Sequence, residues 1–167
     1  MIRRLAALVV VVVLWPAVTR AEHANIDLRV YHLDPASRKI VGQQSATADE
    51  DPPQGGVNPR PLLKVKAKEP LVLQFIYKNT YPHGDVKDVS VRYFVVREEK
   101  VRQKILPDIK AGTVTQGRFD LNFKLGSKVG ARVEFTIPKA GIYLLRVQSE
   151  KTKSDHEHFA AIDLQVE

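Results

Sequence analysis

Apolar and polar residues alternate through most of this chain. That period of two puts one face of an extended strand in a core and the other in solvent. The pattern is clearest between positions 133 and 166. Val133, Phe135 and Ile137 fall on one face, with Arg132, Glu134 and Thr136 on the other. Pro138, which has no N–H to donate, ends that ladder. Gly141 supplies the backbone freedom a tight corner needs, and Tyr143, Leu145 and Val147 then share one face of the next run. A last run, Ala160, Ile162, Leu164 and Val166, closes the chain. Phe135, Tyr143, Leu145 and Ile162 are therefore predicted core residues.

Earlier segments follow the same rule. Ile26, Leu28 and Val30 alternate with Asp27, Arg29 and Tyr31, and His32 falls in phase with the apolar face. Asp34-Pro35-Ala36-Ser37 reads as a turn. Between 43 and 61 apolar residues nearly vanish and Pro, Gly and acidic residues dominate, a composition that predicts a long mobile loop. Leu63, Val65 and Ala67 mark a short strand, broken at Glu69-Pro70. Leu71 to Tyr77 is apolar on both faces in places, which predicts a central strand. Tyr81 to Asp85 is a turn, and Val89 to Val96 is a strongly β-prone run. The charged stretch from Glu98 to Ile109 carries Val101, Ile105 and Leu106 at helical spacing and predicts a single helical turn or a loop, with Pro107 limiting its length. Phe119, Leu121, Phe123 and Leu125 alternate with Asp120, Asn122 and Lys124, and Gly126 to Gly130 turns the chain.

Strands separated by turn signals, with no long amphipathic helix, predict an all-β domain of roughly seven or eight strands in two packed antiparallel sheets. Tyr143, just after the Gly141 corner, resembles the tyrosine corner of immunoglobulin-like sandwiches, in which the ring packs in the core and the hydroxyl bonds back to nearby backbone. The position is equally suited to a tyrosine that is simply a good strand residue. The fold class expected is an immunoglobulin-like antiparallel β-sandwich.

The first residues change the picture of compartment. Arg3 and Arg4, the apolar stretch from Leu5 to Trp15, and Thr19 and Ala21 are the three parts of a secretory signal. The uncharged stretch falls short of the ~18 apolar residues a membrane span needs. The expected organisation is a signal peptide over 1–21, a single domain over 22–167, and a periplasmic or extracellular location with no membrane span after cleavage. The mature protein is expected to begin at Glu22. Mass spectrometry of the exported protein checks this, and an intact Met1 with the chain held in the membrane would overturn it.

The chain has no Cys. An exported domain without disulfides stands on its core alone, and thiol redox, cysteine-protease and Cys-zinc chemistry are excluded. Removal of Arg3, Arg4 and Arg20 lowers the formal charge of +7 by three, to +4. The basic residues mostly alternate with apolar ones, as at Lys64, Lys66 and Lys68, and Lys in that pattern suits a solvated strand face or a protected sheet edge. Aromatics fall mainly on the predicted core face, whereas a nucleic-acid groove wants them exposed among basic residues, so no nucleic-acid partner is expected.

No GxSxG elbow, phosphate-cradling Gly loop or HExxH motif is present, and no acid–base pair of carboxylates stands out, so the expectation is not an enzyme. One constellation remains, Ser154-Asp155-His156-Glu157-His158 before the last strand. If the strand already runs through it, His156 and His158 project from one face, an arrangement that presents two imidazoles to one metal ion. Two rim histidines bonded to backbone and ligating nothing is the competing reading. A third ligand would come from His83, Asp155, His32 or Asp85. His23 would stand second in the mature chain, one position short of the third-residue His of an amino-terminal copper site.

The tail, PKAGIYLLRVQSE followed by SDHEHFAAIDLQV, resembles bacterial exported domains of unassigned function. It is also similar to periplasmic accessory proteins of nickel uptake, which have a β-sandwich and a closing AGxY corner, here Ala140-Gly141-Ile142-Tyr143. The resemblance covers roughly the final third and rests on a corner that many sandwiches share. It implies a periplasmic metal-related role, with no full ligand set carried over. Two functions are thus expected to compete. The first is an exported non-catalytic domain that binds an unidentified protein or small ligand, with no cofactor. The second is a periplasmic accessory that binds nickel or copper at the His-x-His pair.

Overall fold

The computed structural model describes residues 24–48, 60–80, 84–103, 105, 107–109, 112–150 and 158–167. The expected signal and its cleavage point lie outside these residues, as does 49–59 of the expected loop. Among the described residues no helix is long and apolar enough to cross a membrane.

The described chain is all-β. Its strands are β1 (Ala24–Leu33), β2 (Ile40–Ala48), β3 (Leu62–Val65), β4 (Pro70–Asn79), β5 (Val86–Glu98), β6 (Thr113–Phe123), β7 (Lys128–Thr136), β8 (Gly141–Glu150) and β9 (Phe159–Val166). They form two sheets, ordered β2-β1-β4-β7 and β3-β9-β8-β5-β6. Inner faces of the two sheets share one core, in which Ile26, Leu28, Leu73 and Phe75 of the first meet Val91, Val95, Leu145 and Ile162 of the second. Aromatic rings bridge the sheets: Phe75 lies 6.0 Å from Tyr93 and Tyr77 lies 5.2 Å from Phe123, centroid to centroid. Gly117 on β6 makes room for Tyr93, because a Cβ there would collide with the tyrosine ring.

The period-two reading locates the core. Phe135, Tyr143, Leu145 and Ile162 are all buried. The Tyr143 hydroxyl donates to the Lys139 carbonyl at 2.9 Å while its ring sits in the core, which is the corner geometry anticipated from the sequence. Gly141, at φ 149°, makes that corner in a region L side chains avoid.

Two expectations need correction. Residues 43–48, assigned to the loop from their polar composition, are strand: β2 pairs with β1 from Ile40 to Ala48. Backbone pairing holds them, and their side chains are small or polar because β2 is an edge strand. The second sheet is mixed, since β3 runs parallel to β9, Leu62 opposite Asp163. No hairpin constrains these two strands, which leaves parallel pairing open to them. Of the two alternatives for the charged stretch from Glu98 to Ile109, the loop agrees with the structure: its described residues after Glu98 form bends and turns, and Ile109 folds onto a small apolar cluster of Phe94, Val96, Leu144 and Ala161 on the outer face of the second sheet.

Candidate functional site

His156, Asp155 and His83 lie outside the described residues. His158 immediately precedes β9 and is buried, in phase with Ala160 and Ile162 on the inner face, as its spacing predicts. Its backbone N–H donates to the Ser149 hydroxyl at 3.2 Å, and its carbonyl accepts the Ser149 N–H at 2.9 Å. Ser149 in turn hydrogen-bonds the Tyr77 side chain, and burial pushes the Tyr77 phenol up to about 12, so it stays protonated. The last turns of β4 and β8 and the start of β9 therefore meet at one end of the two sheets. Asn79 closes that end by donating to the carbonyls of Gly84 and Phe123, each at 3.2 Å.

The other proposed ligands divide between the two ends. Asp85 is at this one, where its carboxylate accepts the Leu125 N–H at 3.0 Å. His32 is at the opposite end, because β1 runs antiparallel to β4 and places it beside Leu71. There its Nε2 lies 2.6 Å from Glu69. The structure thus separates His32 from His158. Among the described residues no group of three or more His, Asp or Glu side chains is placed to hold a metal ion.

A second constellation is absent from the sequence reading. On the outer face of the five-stranded sheet, Glu98 at the end of β5 and Asp163 in β9 bury their carboxylates completely, with Arg60 between them. Arg60 Nη2 donates to both Glu98 oxygens, at 2.9 and 3.1 Å, and Arg60 Nε lies 2.7 Å from Asp163. The backbone N–H of Arg102 donates to the second Asp163 oxygen at 2.5 Å, and Arg102 Nε donates to the Arg60 carbonyl at 3.2 Å. Burial pushes the Glu98 carboxyl up from 4.5 to about 7 against the opposing pull of Arg60, and the negative Asp163 adds to the rise. Asp163 is also raised, chiefly by burial, although Arg102 and Arg60 oppose this. The cluster ties the residues leading into β3 and the turn after β5 to the middle of the sheet. A signal for it was present: Asp163 is the one acid in an otherwise apolar run, AAIDLQV.

No protein-family model matches the sequence. No curated protein matches it. Among solved structures, the chain is similar to the PmoD soluble domain from Methylocystis sp., at 14% identity over 85% of this chain and 90% of that one, with a TM-score of 0.44. It is also similar to a family 123 glycoside hydrolase from Clostridium perfringens, at 12% identity and a TM-score of 0.40. That match covers 64% of this chain and 23% of the hydrolase. A third likeness is to a β-glucosidase from Listeria innocua, at 14% identity over 62% of this chain and 14% of that one, with a TM-score of 0.33.

Proposed function

We propose that this chain is an exported, non-catalytic binding domain of immunoglobulin-like architecture. The strand order supports the architecture: β9-β8-β5-β6 corresponds to the G-F-C-C′ sheet of a variable-type domain and β1-β4-β7 to its A-B-E strands. The bonded Tyr143 stands at the start of β8, the counterpart of strand F, where the tyrosine corner belongs. The non-catalytic reading is carried by one observation. Among the described residues, Glu98 and Asp163 are the carboxylates whose pKa is raised, and both are sealed on either side of Arg60 with no side-chain exposure, so neither reaches a substrate.

A second reading, a periplasmic nickel- or copper-binding accessory, has support of its own. His158 is held by Ser149 at the end of the sheets where β4 and β8 finish, and the stretches with His83 and with Asp155 and His156 follow those two strands in sequence. Its Nε2 is shielded from solvent, so an ion would be taken up beneath the rim.

Calorimetric titration of tag-free mature protein with nickel and copper separates the readings. The first expects no saturable heat, and the same trace from the His156→Ala/His158→Ala variant. The second expects saturable heat that the variant abolishes and that fades as pH falls through ~6.5, because neutral imidazole is the ligand.

A further inference from the structure

The edge strand of a sheet leaves N–H and C=O groups unpaired, and proteins blunt such edges with short strands, bulges or proline. Among the described residues, three of the four edge strands are blunted in this way. β3 has only four residues. β2 shifts register against β1 at Leu33, and β6 shifts twice against β5. β7 differs. Its nine residues pair with β4 in one unbroken register, from Pro70 opposite Thr136 to Lys78 opposite Lys128. Among the described residues no strand pairs with its other edge. Two bonds flanking the ladder show which groups point outward. The Asn79 N–H donates to the Ser127 carbonyl at 3.0 Å and the Lys68 N–H to the Ile137 carbonyl at 2.8 Å, so odd-numbered residues face β4. By the alternation of an antiparallel ladder, Lys128, Gly130, Arg132, Glu134 and Thr136 aim their main-chain groups at the free edge. Ala131 and Val133 keep half-buried side chains on the inner face, at the margin of the core.

We propose that β7 pairs antiparallel with β7 of a second copy of this chain, about a two-fold axis at Val133, and so joins two sheets into one. The pairing does not depend on what the domain binds. The residues of β7 select both partner and register. Outward main-chain groups meet only where even-numbered residues face even-numbered ones, which puts the axis on a residue. An axis at Arg132 or Glu134 sets a charge against itself, and one at Gly130 sets Lys128 against Arg132. An axis at Ala131 sets Lys128 against Glu134, but leaves Arg132 diagonal to both Lys128 and Arg132 of the second copy. At Val133 each Arg132 faces the second copy's Glu134, and Gly130 faces Thr136. On the inner side Val133 faces Val133 and Ala131 faces Phe135, in the closer, non-hydrogen-bonded class of pair, which covers apolar surface that each sheet alone leaves exposed. Each Glu134 then lies between the second copy's Arg132 and its own chain's Arg38, which already holds it at 2.5 Å in an exposed pair. Within the sheet, Arg132 and Glu134 have the uncharged Gln74 and Val72 beside them on β4, and Lys128 with its neighbour Lys78 falls beyond the paired segment. Both copies use the same surface, so the pairing closes at a dimer.

Sedimentation velocity of the mature protein over a concentration series should show a monomer–dimer equilibrium. Arg132→Glu or Glu134→Arg sets like charges opposite each other at two places and should weaken the dimer by ~10-fold or more. Arg132→Glu/Glu134→Arg restores opposite charges and should recover affinity to within about threefold. Arg38→Gln breaks only the exposed intrachain pair and should change affinity by less than about twofold. The chain has no Cys, so one introduced thiol reports the axis. Val133→Cys should give disulfide-linked dimers with diamide, because the two Cα atoms would lie ~4.5 Å apart, whereas Ala131→Cys should not. A monomer at every concentration, no rescue by the double variant, an Arg38→Gln loss equal to that of Arg132→Glu, or crosslinking at position 131 in place of 133 would each overturn the proposal.

Discussion

Arg60→Leu is expected to destabilise the domain by ~3–5 kcal/mol, the usual cost of leaving buried charge uncompensated. Two fully buried carboxylates, Glu98 and Asp163, lose the guanidinium that bridges them, and one of the two Asp163 oxygens keeps only the Arg102 N–H. The loss should be larger at pH 8 than at pH 5, because at the lower pH protons neutralise the carboxylates that Arg60 no longer pairs. The wild type carries a milder form of the same dependence. Glu98 is raised from 4.5 to about 7, so the folded state holds its proton where the unfolded state has released it. Its contribution is therefore most favourable below 4.5, declines as pH rises to about 7, and is level above. Glu98→Gln should flatten that part of the stability profile. Urea midpoints at the two pH values provide the measurement. A loss under ~1 kcal/mol, or one equal at both pH values, would show that Arg60 does not hold the pair.

Phe75→Ala should cost ~3–5 kcal/mol, because it removes a whole ring from a core that cannot collapse to fill the space. Phe75 is nearly inaccessible and touches Tyr93 and Phe119 of the opposite sheet at 6.0 and 6.1 Å. Phe135→Ala should cost less. Phe135 lies on β7, at the edge of its sheet, and keeps 8% of its surface exposed. Urea denaturation of both variants tests the ranking; a Phe135 loss exceeding that of Phe75 would place the centre of the core elsewhere.

Side-chain alternation made much of the fold readable, since one inward face per strand is all that burial requires. Phe135, Tyr143, Leu145, Ile162 and even His158 were assignable that way. β2 was not, because Gln43 to Ala48 are held by main-chain bonds to β1, which residue type barely reports. The parallel partner of β3 was also hidden, as pairing between distant strands leaves no local mark. The Arg60 cluster failed to appear for a similar reason: its members come from before β3, from the end of β5 and from β9, and only the finished sheet brings them together. The His-x-His pair was visible by spacing, yet spacing alone supplies no third ligand, and the sheet places His32 at the wrong end.

The parallel pairing of β3 with β9 bears on the order in which the molecule forms. Leu62 and its partner Asp163 are about a hundred residues apart, and β9 is also the link through which β3 joins its sheet. Closing so long a loop costs entropy before any contact repays it, which puts this domain among the slow folders. β3 waits for its sheet partner, and Arg60 for Asp163, until β9 is in place. β8 can pair with β5 earlier, so the expected sequence is a β5–β8 nucleus, then β9, and finally β3 with its arginine sealing the carboxylates. Substitutions at Arg60 should accordingly speed unfolding and leave the folding rate nearly unchanged.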